Sequence, residues 1–454
     1  MRGCGWVLLA LCLGACESSR PVPDTAEGPL PEVSEPEAQP PSPEEPASQP
    51  EAPVPDVPEA PESVPGGRHL WTHELSGPGN PWKAAVTVND QGVTALLSLF
   101  EIPTDPELRT YGSIEVLGWD SQGREQWRHP VPGKAPIDDD RYFPWEYTVM
   151  PHGAGFLVVN AKERSLPGSN IDFGCSEVVA QSRAADRLLF LDEWGKCTRA
   201  VHIENVLFGV TTQGEDIWFA RTCFGCAGLY WPPLQRRTPT GQLVHERPRT
   251  HGASNAESEL RHDGVGTLLG WDYRSLSRQS ESFDVLWKRE LPIYVLAAPA
   301  VLPGGEVGVV GVRLSGRGFS FGKSTLPDGT DLVLLRLSAQ GEPLSAVVTG
   351  VQPQALGENP LQLVTDAQGF VAVRQGSASK PGSAVALSWE AETQWTQELD
   401  ARLPGSCQLY VSSVALHPRH GLRVAGVAHG QRAADGSCAP AQGLRRSFVG
   451  AYSR

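Results

Sequence analysis

The thiol of Cys16 is the first side chain in this 454-residue sequence whose setting predicts a chemical reaction. A thiol is a nucleophile, and it can therefore accept a lipid group. The two small residues before it, Gly14 and Ala15, let the backbone enter the cleft of a peptidase. We expect cleavage of the chain before Cys16 and modification of its sulfur.

The residues upstream agree with that expectation. Arg2 precedes a short apolar run, Trp6–Leu13, which is typical of a signal peptide and shorter than the roughly 20 apolar residues that a membrane-spanning helix needs. Leu13-Gly14-Ala15-Cys16 resembles the bacterial lipobox, whose cysteine receives a diacylglyceryl group. The resemblance implies a lipoprotein signal at residues 1–15 and a palmitate-type anchor in a bilayer. The alternative is an ordinary secretory signal with a chance cysteine.

Residue 17 bears on which membrane would hold the anchor. In lipoproteins of this type an aspartate after the cysteine tends to retain the protein in the inner membrane, and this chain has Glu17. The sequence therefore favours the cell envelope, at the outer membrane, on its periplasmic face or at the cell surface.

Six further thiols follow Cys16, an even number that predicts disulfides in an oxidising compartment. They are Cys175, Cys197, Cys223, Cys226, Cys407 and Cys438. Cys407 and Cys438 share the last repeat and are expected to pair. The other four allow three pairings, of which Cys175–Cys197 with Cys223–Cys226 is the first considered.

Two clusters carry candidate binding chemistry. Carboxylates beside aromatic rings could bind a sugar or a hard cation, although a solvated acidic loop is the plainer interpretation. The first cluster comprises Asp138, Asp139, Asp140, Tyr142, Trp145 and Glu146, and the second comprises Tyr230 and Trp231 beside the Cys223–Cys226 pair.

Motifs for catalysis, cofactors and metals are not found. The sequence has no His-Glu-x-x-His and no Gly-x-Ser-x-Gly, and Gly322-Lys323-Ser324 lacks the upstream glycine of a phosphate-binding loop, since Arg317 stands there. Zinc binding by Cys223 and Cys226 would need a second pair at matching spacing. We therefore expect no catalytic residue, no cofactor and no metal.

Residues 16–67 form a Pro/Glu-rich linker in composition. Fifteen prolines lie between Pro21 and Pro65, and twelve acidic residues face one base, Arg20. Such a segment cannot bury a core, and we expect a disordered stalk. Of the formal net charge of −14, this stalk carries −11 and residues 68–454 carry −4. The globular part offers no electrostatic case for nucleic acid.

Residues 68–454 alternate short apolar runs with tight polar turns, which predicts strands and hairpins. One strand recurs with its tryptophan at Trp71, Trp127, Trp287 and Trp395. The gaps of 56, 160 and 108 residues fit one, three and two units of roughly 53–56 residues, near the length of a propeller blade with its loops. Looser copies at Cys197–Ile203, Gln242–Pro248 and Leu344–Thr349 fill the gaps.

The two ends of this region predict a closed ring. Trp71 opens it with an outermost strand that has no blade before it, and the last blade, Val411–Arg454, is one strand short. Pairing these two strands removes open sheet edges. We predict an all-β fold, a β-propeller of seven blades, with six or eight blades or another all-β architecture as the alternatives.

One segment resembles the repeats of bacterial β-propeller lipoproteins. Phe319–Lys323 followed by Asp331–Gly341 is similar to the Phe-Gly, then Asp-x-apolar, then Leu-x-x-x-Gly pattern of those repeats. The resemblance covers one blade well. It implies a propeller and no particular activity.

The long connections should emerge on one face of the ring, and any function is expected there. They are Thr104–Ser113, Pro132–Tyr147, Ala161–Asp186, Arg221–Leu234, Arg249–Glu259, Asp272–Glu281, Leu314–Thr330 and Ala428–Gly443. The sequence favours a binding or scaffold module that presents these loops to an envelope protein or glycan. A polysaccharide-active enzyme and a structural envelope protein without a specific ligand remain the alternatives.

Overall fold

The structure is a computed structural model that describes thirteen stretches of the chain. They are residues 66–75, 80–102, 111–136, 148–159, 174–179, 186–203, 207–221, 234–247, 259–353, 361–376, 382–399, 408–430 and 445–454. The chain divides into two compact units, Met1–Pro61 and Glu62–Arg454, and every described residue lies in the second. The predicted signal peptide and the predicted stalk lie outside the described residues, apart from Gly66 and Gly67.

The described residues form strands joined by turns. In chain order the strands are β1 (His69–Leu75), β2 (Asn80–Val88), β3 (Thr94–Ile102), β4 (Tyr111–Trp119), β5 (Glu125–Pro136), β6 (Thr148–His152), β7 (Gly155–Val159), β8 (Glu177–Val179), β9 (Asp186–Leu191), β10 (Cys197–Ile203), β11 (Leu207–Gln213), β12 (Asp216–Arg221), β13 (Leu234–Arg237), β14 (Leu243–Arg247), β15 (Glu259–His262), β16 (Thr267–Trp271), β17 (Ser275–Ser280), β18 (Val285–Glu290), β19 (Ile293–Val295), β20 (Ala300–Val301), β21 (Val307–Arg313), β22 (Phe319–Phe321), β23 (Ser324–Leu326), β24 (Leu332–Leu337), β25 (Pro343–Val348), β26 (Gln362–Asp366), β27 (Gly369–Arg374), β28 (Ser383–Ser388), β29 (Thr393–Glu398), β30 (Gln408–His417), β31 (Gly421–His429) and β32 (Arg445–Tyr452). Two single-turn 3-10 helices lie at Pro303–Gly305 and Leu314–Gly316. Among these described residues, no helix has the length and apolar character needed to cross a membrane.

The strands assemble into seven blades, each with four antiparallel positions from an inner to an outer strand. The blades are β2-β3-β4-β5, β6-β7-β9-β10, β11-β12-β13-β14, β15-β16-β17-β18, β19 and β20 with β21-β24-β25, β26-β27-β28-β29, and β30-β31-β32-β1. A small hairpin, β22-β23, extends from the fifth blade. The predicted all-β fold and seven-bladed propeller are confirmed.

The first described strand closes the ring, as the sequence predicts. β1 pairs antiparallel with β32, so that Thr72 lies opposite Gly450 and Glu74 opposite Phe448. An ion pair between Arg446 and Glu74, at 2.7 Å, joins the two strands at the surface. The seventh blade therefore takes three strands from the end of the chain and one from its beginning.

Middle strands of the blades are buried on both sides because each blade packs between two others. All five residues of β7 and most of β21 are buried, as expected for a sheet that is covered on both faces. Outer strands such as β18 are mostly exposed. The hydrophobic core is therefore a set of clusters between neighbouring blades.

Two kinds of connection define the two faces of the ring. The tight face carries the short turns between first and second strands and between third and fourth strands of each blade. The wide face carries the other connections. A typical tight turn is Asp120–Gly123, in which the N–H of Gly123 donates to the Asp120 carbonyl at 3.0 Å and glycine adopts a φ of 82°.

Each recurring tryptophan joins its own blade to the next one. The ring of Trp287 covers Gly341 in the tight turn of the fifth blade, where an added Cβ would lie 2.6 Å from the ring, and its Nε1 donates to the Ala339 carbonyl at 2.8 Å. Trp127 does the same with Gly195 and the Glu193 carbonyl in the second blade. The tryptophan spacing therefore reflects a repeated contact between blades.

The prediction of a long connection at Asp272–Glu281 is wrong. Only Asp272–Arg274 turn, and the following residues form β17 in the middle of the fourth blade. The strand buries Ser277 and Gln279. Gln279 Nε2 donates to the Ser277 hydroxyl, and that hydroxyl donates to the Gly270 carbonyl. Because its inward residues are polar, the usual apolar alternation of a strand is missing.

Candidate functional site

The predicted binding residues on the wide face lie outside the described residues. This holds for Asp138, Asp139, Asp140, Tyr142, Trp145, Glu146, Tyr230 and Trp231, and also for Cys16, Cys223, Cys226, Cys407 and Cys438. The described part of the wide face belongs mainly to the fourth and fifth blades. The candidate site therefore comes from the connections of those two blades.

Three apolar side chains are exposed on this part of the wide face. Tyr273 is 73% exposed, Tyr294 43% and Leu296 45%. Tyr273 stands at the tip of the turn between β16 and β17. Tyr294 lies on β19, which together with β20 forms the interrupted innermost strand of the fifth blade; β19 is the part nearer the wide face. The N–H of Val295 donates to the Tyr273 carbonyl at 2.9 Å, so a backbone hydrogen bond joins the two segments.

Local hydrogen bonds fix the Tyr273 turn. Asp272 Oδ1 accepts from the N–H of Arg274 at 2.7 Å and from that of Ser275 at 2.6 Å, and the Ser275 hydroxyl donates to Asp272 Oδ2 at 2.8 Å. This is the pattern by which an aspartate side chain holds a tight turn. The exposed ring of Tyr273 therefore stands on a rigid base.

Alternation along β19 places Tyr294 outside. Ile293 and Val295 are buried among side chains of the fourth and fifth blades, and successive residues of a strand point to opposite sides. Tyr294 and Leu296 consequently share the other side, where both are exposed.

Glu259 lies at the wide-face end of β15. It stands opposite Trp271 in the strand register, two residues before Tyr273. Leu260 packs toward the third blade, so Glu259 faces the fifth. Its side chain is exposed, and partial burial against the neighbouring protein raises the pKa of the Glu259 carboxyl. We call Tyr273, Tyr294 and Leu296 the wide-face patch.

Arg261 holds the broken inner strand of the fifth blade in place. β19 ends at Val295 and β20 begins at Ala300. Arg261 Nη1 donates to the Pro299 carbonyl and to Thr365 Oγ1, each at 3.2 Å, and the Thr365 hydroxyl donates to the Ala298 carbonyl at 2.5 Å. These bonds link the fourth and sixth blades to the segment of the fifth blade between β19 and β20, which also contains Leu296.

Burial lowers the pKa of the Arg261 guanidinium, and the nearby Asp366 carboxylate acts against that shift. The charge that interacts with Arg261 is therefore that of Asp366, which lies at the tight face. Arg261 positions the segment that carries Leu296 and is engaged by neighbours within the ring.

The inner edge of the first blade shows the same use of side chains between blades. Ser412 Oγ accepts from the N–H of Ala84 at 3.1 Å and donates to the Ala84 carbonyl at 2.7 Å, and Ser413 Oγ accepts from the N–H of Val86 at 3.1 Å. Inner strands have one edge without a strand partner, so these hydroxyls satisfy backbone groups that would otherwise face the channel. The scaffold beneath the faces is thereby stiffened.

A second cluster lies on the tight face between the seventh and first blades. His417 and His420 have ring centroids 4.7 Å apart, and His417 Nε2 lies 3.0 Å from Asp90 Oδ1. Burial lowers the pKa of His417, while the hydrogen bond to Asp90 acts in the opposite direction. In the described stretches no group of three or more His, Cys, Asp or Glu side chains is arranged to hold a metal ion.

Cys175 and Cys197 form a disulfide with an S–S distance of 2.06 Å. It is the pairing that the sequence analysis considered first for these residues. Cys197 begins β10, and β8 pairs in parallel with that strand as a fifth strand of the second blade. The disulfide fixes the segment that carries β8 against the blade, and β8 covers the outer sheet edge of β10.

The residues of the wide-face patch were missed in the sequence for a specific reason. Ile293-Tyr294-Val295-Leu296 contains only apolar and aromatic residues, so the run alone does not separate buried from exposed positions. The alternation of side chains along the strand was a usable signal. If Ile293 faces the core, residues 294 and 296 face the other side, where a strand exposed to solvent would carry polar residues. Two large apolar residues at those positions predict a surface that contacts something else.

Comparisons with known proteins show no family for this chain. No protein-family model matches the chain, and no curated protein matches it in sequence. Similar solved structures include the WD40 domain of Pan2 from Neurospora crassa, with a TM-score of 0.44, 8% identity and coverage of 86% of this chain and 98% of that chain. Apo AztD from Citrobacter koseri has a TM-score of 0.37 and 13% identity over 74% of this chain and 90% of its own. BamB from Moraxella catarrhalis has a TM-score of 0.29 and 11% identity over 71% and 97%. These similarities to solved structures carry no conclusion about function.

Proposed function

We propose that this chain is a lipid-anchored protein of the bacterial cell envelope whose propeller binds a protein through its wide face. The observation that carries the proposal is the wide-face patch, in which Tyr273, Tyr294 and Leu296 are exposed on a hydrogen-bonded base. Tyrosine is enriched at protein interfaces because a rigid ring gives large contact area at little entropic cost. Leu296 favours a protein over a glycan, since an exposed aliphatic side chain offers nothing to sugar hydroxyls.

The anchor belongs to the same proposal and has its own test. Leu13-Gly14-Ala15-Cys16 supports lipidation of Cys16, and two or three acyl chains hold a protein firmly at a bilayer. In cells fed an alkyne analogue of palmitate, the wild-type chain should acquire label and sediment with membranes. The Cys16→Ser chain should acquire none and should appear in the soluble fraction. Label on the Cys16→Ser chain, or none on either, would contradict the anchor.

Density-gradient separation of the two membranes tests the expected location. Glu17 favours the outer membrane. The lipidated chain should therefore fractionate with outer-membrane markers, and accumulation with inner-membrane markers would contradict this part of the proposal.

Site-specific crosslinking in living cells tests the binding face. A photoreactive benzoylphenylalanine at position 273 or 294 should give a discrete heavier band, because both side chains are exposed on the wide face. The matched controls carry the same group at Gln122 and Gln340, which are exposed in tight turns. Bands of equal yield from all four positions, or none from the first two, would reject binding through the wide-face patch.

A further inference from the structure

Two short turns on the tight face hold the first blade against the seventh. One joins β2 to β3 and contains Asp90, and the other leads from His417, at the end of β30, through His420 to β31. His417 Nε2 lies 3.0 Å from Asp90 Oδ1, and His420 Nε2 donates to the Asp90 carbonyl at 3.0 Å. The His420 ring also covers Gly92, where an added Cβ would lie 2.9 Å from the ring. Both imidazoles therefore belong to the seam between the two blades.

The hydrogen bonds of His417 determine which of its ring nitrogens carries a proton. Nδ1 accepts from the N–H of Arg419 at 3.2 Å, so it carries none. Nε2 faces the Asp90 carboxylate, which only accepts, so Nε2 carries the proton. The neutral imidazole thus satisfies both contacts. A second proton has to bind at Nδ1, where it would face the N–H of Arg419 and end that hydrogen bond.

Charged groups from both sides of the seam surround the His417 ring. The His420 ring centroid is 4.7 Å away, and Arg419 Nη2 lies 3.6 Å from Asp90 Oδ1. Arg423, on β31, donates to the His420 carbonyl at 2.7 Å. The side chain of Asp90, from the first blade, is 82% exposed, so water screens its attraction for a charged ring. A charged His417 would therefore join a second imidazole and two arginines opposite a screened carboxylate.

The described charged groups on the side of the sixth blade pair with each other. Gly421 follows the turn, and an added Cβ there would lie 2.9 Å from the backbone nitrogen of Arg454. The Arg454 guanidinium forms an ion pair with Asp366 at 2.6 Å, so the two charges offset one another. The balance of charge at His417 is thus set by the groups of the seam.

The seam should weaken in acid. Burial lowers the pKa of His417, the charges of His420 and Arg419 act in the same direction, and Asp90 acts against them. The closed seam therefore binds the second proton less tightly than an opened one, in which His417 has its ordinary pKa of 6.5. Closure is complete above pH 6.5 and loses free energy as the pH falls below that value.

We infer that the His417–His420 pair is an acid-sensitive latch between the seventh and first blades. While both imidazoles are neutral, they hold the two turns together through Asp90. Protonation of His417 ends its hydrogen bond with the N–H of Arg419, places a cation against the His420 ring and releases the turns. The two blades remain joined at their outer strands, where the Trp71 ring covers Gly123. The seam therefore opens from its inner strands.

Amide exchange of the purified full chain, followed by mass spectrometry, tests the latch. Exchange rates for peptides that cover residues 89–94 and 417–422 are corrected for the intrinsic effect of pH. They should rise at least about fivefold between pH 7.5 and pH 5.5. Peptides that cover residues 338–341, the corresponding kind of turn in the fifth blade, contain no histidine and should not change.

His417→Asn separates protonation from the loss of a contact. An asparagine Oδ1 can accept from the N–H two residues further on, as Asn89 does from Gln91 at 3.1 Å. The variant should therefore match the wild type at pH 7.5 and show no rise at pH 5.5. The matched control is His245→Asn, the same substitution where the third blade contacts Phe283 of the fourth. It should keep the wild-type response at the seam.

Asp90→Asn tests the latch without changing either ring. It removes the negative charge that favours charged His417, so the rise in acid should be larger than in the wild type. Thermal unfolding at pH 7.5 shows that each variant is folded. A wild-type seam whose corrected exchange does not depend on pH, an equal rise in His417→Asn, or a smaller rise in Asp90→Asn would each overturn the inference.

Discussion

Ser453 and Arg68, at opposite ends of the propeller sequence, hydrogen-bond as the two ends of one turn. The N–H of Ser453 donates to the Arg68 carbonyl at 2.8 Å, and the N–H of Arg68 donates to the Ser453 hydroxyl at 2.9 Å. In the intact turn of the first blade, Asp120 and Arg124 make the same two bonds at 3.0 and 2.9 Å. Gly67 also donates to the Ser453 carbonyl, as Gly123 does to that of Asp120. The break in the chain therefore falls inside a complete tight turn.

A circular permutant tests this equivalence. Ser453, Arg454, Gly66, Gly67 and Arg68 occupy the five positions of the turn, so a peptide bond between Arg454 and Gly66 would restore it. The permutant opens the corresponding turn of the fifth blade between Ala339 and Gln340. Because it differs from a chain that begins at Gly66 only in the position of the break, it should unfold cooperatively with a Tm within about 5 °C of that chain. Circular dichroism measures this, and an aggregated product or a non-cooperative transition would contradict the equivalence.

Gly341→Ala should be strongly destabilising. Its φ is 80° and an added Cβ would lie 2.6 Å from the Trp287 ring, so it combines backbone strain with displacement of the ring that joins two blades. We expect a loss of roughly 2–4 kcal/mol in the free energy of unfolding. Gly350→Ala is the matched control, since Gly350 has a φ of 70° with open space around it; it should cost only the backbone term, about 1–2 kcal/mol. Similar losses in urea unfolding of the two variants would mean that the tryptophan contact contributes nothing.

Glu259→Gln should stabilise the propeller at neutral pH. Burial raises the pKa of the Glu259 carboxyl in the folded chain above its ordinary value of 4.5, so the folded state holds the proton more tightly than the unfolded state. The charge therefore costs nothing below pH 4.5 and its full amount above the folded pKa. The Tm of Glu259→Gln should match that of the wild type at pH 4 and exceed it at pH 8.

Glu290→Gln, an exposed position on the outer strand of the same blade, is the control for that experiment and should not reproduce the rise. A Tm difference for Glu259→Gln that is the same at both pH values would show that the ionised carboxylate carries no cost in the folded protein.

Removal of the disulfide should destabilise the second blade. Cys175 and Cys197 close a loop of 22 residues, and the chain-entropy argument gives about 3 kcal/mol for a loop of this size. The Cys175→Ser, Cys197→Ser chain should unfold earlier in urea, and amide exchange should quicken most in β8 and β10. A reductant added to the wild type should reproduce the effect. Unchanged exchange in those strands would assign the disulfide no role in holding them.

The sequence predicted the propeller because its outer strands repeat a residue that the neighbouring blade requires. Trp71, Trp127 and Trp287 each cover a glycine in the next blade, so their spacing reports the blade period. Where a different residue makes that contact the repeat fades: Val201 packs on Gly241, and no tryptophan marks the second blade's outer strand. The strand β17 was missed because its buried residues Ser277 and Gln279 are polar, and their side chains hydrogen-bond to each other within the strand.

The candidate site was less predictable than the fold. The sequence indicated the face, since long connections gather on one side, but Tyr294 and Leu296 fall in an apolar run that does not separate buried from exposed positions. Their exposure depends on how Ile293 and Val295 pack against the fourth blade. Contacts of that kind are set by tertiary structure and leave no local pattern.

The position of Gly66 also has a mechanical consequence. Any segment of chain ahead of it enters the ring inside the turn that Ser453 completes, with Gly66 and Gly67 held under the ring of Trp395. A pull on that segment would reach the hydrogen bonds of Gly67 and Arg68 before any other part of the propeller, and then the pairing of β1 with β32. The hydrogen bonds that close the ring are therefore the ones that a force on this segment would break first. The six blades formed by continuous stretches of chain would not be stretched until those bonds had given way.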